Sequence, residues 1–289
     1  MSIYCVCTAR GDRWPRVTEL RAASRRDWQI FERLARSEGW RVPQRELQLL
    51  QGPFEEAVQV LGDGDIFCGL ISALTHQKSG WIGNLLVPKK LRRRGYGRRL
   101  FEAALDELED RRVVSTWLTA STDGQPLYTG YGFQVVGEIE RWVLPVGQAG
   151  ERGSEDSVVA WTSLRQSDRS IWGEARDGLL EGLAPVARAF AHQDATALLQ
   201  TDLHLQILGP WYSANMCPRS NRQLLQEVLE ARNPKLELVV DLLSASPLKS
   251  LLGASGFVCK GRNALMVRGN PQEVELQSMV SLASLGSIG

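Results

Sequence analysis

The run from Trp81 to Leu105, WIGNLLVPKKLRRRGYGRRLFEAAL, limits the folds open to this chain more than any other stretch. An apolar strand stops at Pro88, a basic turn follows, and Gly95 and Gly97 stand where a helix begins. Leu100, Phe101, Ala104, Leu105 and Leu108 recur at helical spacing, with Arg99, Glu102, Asp106 and Asp110 on the opposite face, so this helix packs on a sheet. The junction also has a chemistry. Glycines let the backbone approach a ligand closely, the unpaired N–H groups of the first turn point one way, and the helix dipole adds partial positive charge. A pyrophosphate fits that description.

The flanking sequence supplies the rest of an α/β unit. Val17 to Ala23 reads as a strand, and Ser24 with Asp27 to Glu38 as a helix carrying Trp28, Ile30, Phe31 and Leu34 on one side. Gly39 ends it. A shorter helix with Leu47 and Leu50 follows Pro43, and Gly52-Pro53 breaks it. Ala57 to Leu61, Ile66 to Leu74 and Trp81 to Val87 are apolar runs separated by the turns Gly62-Asp63-Gly64-Asp65 and Lys78-Ser79-Gly80, which predicts an antiparallel meander. After the basic helix come a strand over Val113 to Thr119, a short helix from Thr122 to about Gly130, and a strand from Phe133 past Trp142. The unit closes around Pro145, and Gly147 to Ser157 has the polar, glycine-containing composition of a linker.

A chain of 289 residues exceeds one ordinary domain of ~100 to 150 residues, and the second half repeats the first. Leu205 to Tyr212 reads as a strand, Ser220 to Ala231 as a helix with Ser220 and Gln223 in capping-box spacing, and Leu236 to Leu242 as a strand. Adding 124 carries Leu100 onto Leu224, Leu105 onto Leu229, Leu127 onto Leu251, Gly132 onto Gly256 and Phe133 onto Phe257. Duplication explains a single offset that holds through helix, strand and turn. The expected domains are 1–146, a linker at 147–157, a second unit at 158–269, and a tail at 270–289 that is expected to fray.

Thirty-four basic against 33 acidic residues argue against a protein built to coat nucleic acid or an anionic membrane. The basic run of Lys89, Lys90, Arg92, Arg93, Arg94, Arg98 and Arg99 has a nucleic-acid reading, but it lacks flanking aromatic platforms. Cys5, Cys7, Cys68, Cys217 and Cys259 are odd in number, form no Cys-x-x-Cys pair, and read as reduced thiols with no metal site expected. The opening MSIYCVCTARGDRW is unlike a secretory leader, and no stretch approaches ~18 uninterrupted apolar residues, so a cytoplasmic location with no membrane partner is expected.

At the junction the chain resembles the GNAT superfamily of acyl-CoA N-acyltransferases, whose signature is Arg or Gln, two residues, Gly, one residue, then Gly or Ala; Arg92, Gly95 and Gly97 match it. The resemblance runs on through Leu85-Leu86-Val87 and through Pro126 to Phe133. It implies two tandem GNAT-like domains of α/β (α+β) class, each a mixed, mostly antiparallel sheet flanked by helices. It further implies acetyl-CoA as co-substrate, with Leu85, Leu86 and Val87 on the pantetheine arm and Arg92, Arg93, Arg94, Gly95, Tyr96, Gly97 and Arg98 around the pyrophosphate. Tyr128 then protonates the departing thiolate, with Tyr131 as its nearby competitor and simple packing as the alternative reading. A small-molecule amine attacks the thioester directly, and a backbone N–H near Val87 stabilises the oxyanion.

Glu38 and Trp40 are candidates for the acceptor pocket, although the same residues suit a helix C-cap with a packed tryptophan. The strand Trp81 to Val87 holds no acid, which leaves the general base open among water, His76 and an acid from elsewhere. In the second half the offset puts Met216, Arg219, Asn221 and Leu252 at the positions of Arg92, Gly95, Gly97 and Tyr128, and Pro210 removes a donor from its strand. No second acyl-CoA site is therefore expected, and Trp211, Tyr212 and Asp241 are candidates to help shape the acceptor pocket. Two other functions fit the same residues: a catalytically lapsed acyl-CoA sensor or scaffold, and a protein or peptide N-acetyltransferase.

Overall fold

Local capping starts the first helix where Ser24 predicts. The Ser24 backbone N–H donates to the Asp27 carboxylate at 2.8 Å and the Asp27 backbone N–H donates to the Ser24 hydroxyl at 3.3 Å, a reciprocal capping box. The protein is seen in a computed structural model that describes residues 18–147, 157–271 and 273–289. The first half runs β1 (Glu19–Arg21), α1 (Arg25–Ser37), α2 (Gln44–Leu50), β2 (Val58–Asp63), β3 (Ile66–Thr75), β4 (Ser79–Leu86), α3 (Tyr96–Asp110), β5 (Ser115–Ala120), α4 (Gln125–Thr129) and β6 (Gln134–Leu144). The second runs α5 (Val158–Trp172), α6 (Asp177–Leu183), β7 (Ala187–His192), β8 (Ala195–Thr201), β9 (Leu205–Ser213), α7 (Pro218–Ala231), β10 (Glu237–Leu243), α8 (Lys249–Ala254), β11 (Val258–Gly269) and β12 (Met279–Ser281). From α1 to β6 and from α5 to β11 the order of elements is the same.

The repeat extends to single hydrogen bonds. Gly132 and Gly256 take φ of 82° and 88°, values that favour glycine. The Phe133 and Phe257 backbone N–H groups donate to the carbonyls of Tyr128 and Leu252, each five residues back. Leu100 and Leu224 are both fully buried on the sheet-facing sides of α3 and α7.

The sheets of the two halves are not separate. Among the described residues twelve strands form one sheet in the order β1-β2-β3-β4-β5-β11-β6-β10-β12-β9-β8-β7, mixed and mostly antiparallel. Each half lends its last long strand to the other: β11 pairs with β5 over Ala264↔Ala120 to Gly269↔Ser115, and β6 pairs with β10 over Leu238↔Leu144 to Leu243↔Ile139. The two exchanged strands also pair with each other. An apolar cluster containing Trp28, Phe31, Trp81, Trp117, Trp172 and Leu198 covers one face across both halves, and α3 and α7 pack on the other.

Other departures from the sequence reading have local causes. The α7 helix starts at Pro218, suited to a first turn by its fixed φ, so Ser220 lies inside it and donates instead to the Gln193 side chain at 2.9 Å. The tail does not fray. Met279 to Ser281 is a sheet strand, and Leu282, Ala283, Ser284 and Ile288 are buried. Cys5 and Cys7, and residues 148–156 of the expected linker, lie outside the described residues. Among the described residues no helix is long and apolar enough to cross a membrane.

Candidate active site

Strands β4 and β5 run parallel through three register pairs, Ser79↔Ser115, Gly80↔Thr116 and Trp81↔Trp117, and then part, although β4 continues to Leu86 and β5 to Ala120. A bulge turns β4 away: its register against β3 slips between Ser72↔Gly83 and Leu70↔Leu86, and Asn84 takes φ 57°. The Asn84 amide donates to Ser72 Oγ at 3.0 Å and holds the kink. The result is a wedge whose β4 side, Ile82 to Leu86, carries no ladder partner on β5. An extended, amide-rich chain can add itself to such an edge.

The wedge points to the turn before α3. Arg93 (φ 62°) and Gly95 (φ 82°) are both left-handed, and Gly95 caps the helix without any side-chain hydrogen bond. The first turn of α3 holds no acid, and a Cβ at Gly95 would meet no atom within 4 Å. Tyr96 and Gly97 begin the helix, and the Arg93, Arg94 and Arg98 side chains are exposed beside it. Arg92 is directed elsewhere: its Nε donates to the Val87 carbonyl at 3.0 Å and its Nη2 to Glu38 at 2.7 Å. Glu38 also lies 3.6 Å from Lys89, so it braces the basic turn and does not line the cavity described next.

A cavity of about 350 Å³ opens beneath the wedge. Trp40, Glu46, Asn84, Leu85, Tyr128 and Arg141 are among its lining, together with the tail residues Leu285 to Ser287. Of the sequence candidates, Trp40, Leu85 and Tyr128 meet here. Tyr128 is fixed by α4 against Phe101 (ring centroids 4.9 Å apart) and Phe133 (6.3 Å), and burial pushes its phenol up to about 12. It is therefore protonated at neutral pH. The competitor Tyr131 is half-buried and donates to Glu102 at 2.5 Å. His76 belongs to the other end of β3, outside the cavity lining, and burial followed by the charge of Arg176 pushes it down to about 3. Trp211 and Tyr212 pack inside the second half, bonded to Asn221 and to Asp168, whereas Asp241 reaches the cavity wall through Arg141.

Sequence reasoning misses Glu46. It is 3% exposed on α2, lines the cavity, and accepts a short hydrogen bond from the Ser287 hydroxyl through Oε2, while Oε1 has no partner. Burial, against the hydrogen bonds from Ser287 and Leu285, pushes it up to about 7. A glutamate amid the apolar pattern of α2, beside Leu47, Leu49 and Leu50, is the signal that could have found it. Nothing local in the sequence connects it to residues 285–287.

Residues 39–141 match the model of the acetyltransferase (GNAT) domain. The chain carries a GNAT domain. Its relatives include the uncharacterized N-acetyltransferase YitH of Bacillus subtilis, 26% identical over 159 residues, or 52% of this chain and 55% of that one. The alanine N-acetyltransferase of ribosomal protein bS18 from Salmonella typhimurium is 37% identical over 79 residues, 26% of this chain and 50% of that one. The chain thus spans about half the length of these curated relatives. A solved structure from Pyrococcus horikoshii, described as a candidate acetyltransferase, superposes with TM-score 0.76 at 18% identity, covering 98% of this chain and 99% of that one, a likeness of fold.

The wedge, the turn and Tyr128 all belong to the GNAT domain or abut it, and the second half differs at the matching place. There β9 and β10 also pair in parallel at three positions, Leu205↔Glu237 to Ile207↔Val239. The space between them beyond that point is filled by β12, which pairs Ser281 with Leu242 and with Trp211.

Proposed function

We propose that the protein transfers an acetyl group from acetyl-CoA to the primary amine of a small acceptor held in the cavity beneath the β4–β5 wedge. The observation that carries this reading is the wedge itself, which ends at a capless helix N-terminus on one side and at a cavity holding a protonated tyrosine on the other. The pantetheine amides pair with the free edge of β4 near Leu85, Leu86 and Val87. The N–H groups around Gly95 and Gly97 and the exposed Arg93, Arg94 and Arg98 receive the pyrophosphate, while Arg92 holds the turn closed by bonding Val87 and Glu38.

In the reaction the amine nitrogen forms a bond to the thioester carbonyl carbon and loses a proton to a base or water in the cavity, the carbon–sulfur bond breaks, and the Tyr128 hydroxyl gives its proton to the leaving sulfur. Solvent restores that proton. No covalent enzyme intermediate is required, and Cys68, buried in the sheet, is not placed to form one. In the second half β12 occupies the corresponding wedge, so that half supplies a wall and not a second acyl-CoA site.

The test is thiol release from acetyl-CoA in the presence of a panel of small amines. Amine-dependent release is expected, with kcat in Tyr128→Phe lower by on the order of 100-fold and the acetyl-CoA dissociation constant unchanged. Binding without turnover of any amine would favour a sensor. Equal turnover by Tyr128→Phe would remove the tyrosine from the chemistry.

A further inference from the structure

The charges of the cavity select its acceptor. Among the lining residues three are charged: Arg41, Glu46 and Arg141. Both arginines are already committed to acids of β10. Arg41 is held by Glu237 through Nε–Oε1 at 2.6 Å and Nη2–Oε2 at 3.2 Å. Arg141 is held by Asp241 at 2.7 and 2.6 Å, and its Nη2 donates also to the Leu285 carbonyl at 3.0 Å. Bidentate pairs of this kind satisfy both partners. Glu46 is the opposite case, because it has no cationic partner, one oxygen bonded to Ser287, and the other sealed from water and unpaired.

We propose that Glu46 is the general base of this site, and that the acceptor is a primary amine with no carboxylate beside it. The inference rests on the acetyl-transfer reading above. An incoming ammonium supplies the cation that Glu46 lacks and gives its proton to the carboxylate, which releases it to solvent; the free amine attacks, and the proton its nitrogen sheds as the amide forms goes to the same carboxylate. A carboxylate next to that amine finds no uncommitted cation and faces Glu46 itself, so an α-amino acid is rejected by desolvation and by like charge. The groups that face Glu46 are Ser287 and the Leu285 N–H from the tail, Asp202 from the β8–β9 turn, and Arg141 from β6. Asp202 raises the carboxyl and Arg141 lowers it, but burial dominates and places its titration at about 7. The tail builds the pocket wall that positions this base: Trp81 Nε1 donates to the Gly286 carbonyl at 3.2 Å, and the Ser287 carbonyl lies where a Cβ on Gly83 would stand.

The experiment measures thiol release with four matched pairs in which the amino acid has only its α-amine, agmatine and arginine, tyramine and tyrosine, tryptamine and tryptophan, and histamine and histidine, in the parent and in Glu46→Gln across pH 5.5 to 9. Acetyl-CoA binding is titrated alongside without acceptor. At least one amine is expected to be used on the order of 100-fold better than its parent amino acid. Its kcat/KM in the parent should break downward below about pH 7, and Glu46→Gln should lose both that break and about 100-fold at pH 8 while binding acetyl-CoA normally. Loss of acetyl-CoA binding in the parent sinks the underlying reading. If acetyl-CoA binds, then equal use of amino acids, use of none of the four amines, or an unaltered pH profile in Glu46→Gln overturns this inference alone.

Discussion

Among single residues, the buried acids of the first half show how position decides the role of a carboxylate. Asp27 and Glu46 are both 3% exposed, yet they titrate in opposite directions. Burial raises Asp27, but hydrogen bonds from Arg21 and Ser24 outweigh it and bring the group down to about 2. Its folded pKa lies below the unfolded value of 3.8, so it contributes stability above pH 4 that is lost as the pH falls through 2. Asp27→Asn should therefore cost about 1–2 kcal/mol at pH 7, and the cost should vanish near pH 2 in urea melts. Glu46 stands above its unfolded 4.5, so folding binds its proton and stability declines as the pH rises from 4.5 to 7. That decline is the cost of keeping a carboxylate without an ion-pair partner inside a pocket.

At the scale of elements, the sequence makes the helices and the meander legible because each is specified locally. Ser24 and Asp27 state the start of α1, Gly95 states the start of α3, and the apolar runs of β3 and β4 on either side of the Lys78-Ser79-Gly80 turn state their pairing. The turn of the candidate site was legible for the same reason, since its glycines and arginines are contiguous. What is written nowhere locally is which strand lies beside which. Nothing in the residues of β6 favours β5 over β10 as its partner, and the structure gives β5 to β11. The tail shows the same limit: its Ser, Leu and Gly residues resemble a fraying end, yet close backbone approach at Gly83, Gly209 and Gly286 lets it thread between the halves. Glu46 is hidden in the sequence because the groups that hydrogen-bond it belong to the tail, Ser287 lying 241 residues away.

For the whole molecule, strand exchange makes the two halves one structural unit, joined by ion pairs that also wall the cavity. Arg141 on β6 and Asp241 on β10 are 19% and 2% exposed at the side chain. Asp241→Asn should leave a largely buried guanidinium without its counter-charge and cost about 3–5 kcal/mol, whereas replacing both residues by apolar ones of similar volume should recover much of that loss in chemical denaturation. The same exchange explains an asymmetry between the halves. Among the described residues there are two wedges of parallel strands, the second filled by β12 and the first left open above a cavity. On the proposed function, that asymmetry leaves one acyl-CoA site per chain. The direct test is calorimetric titration of acetyl-CoA into the parent and into Gly95→Trp, whose indole would occupy the open side of the turn at a backbone cost of about 1–2 kcal/mol, small enough to leave the fold intact. The account predicts one equivalent bound by the parent and none by a folded Gly95→Trp; two equivalents, no binding by the parent, or undiminished binding by the variant would contradict it.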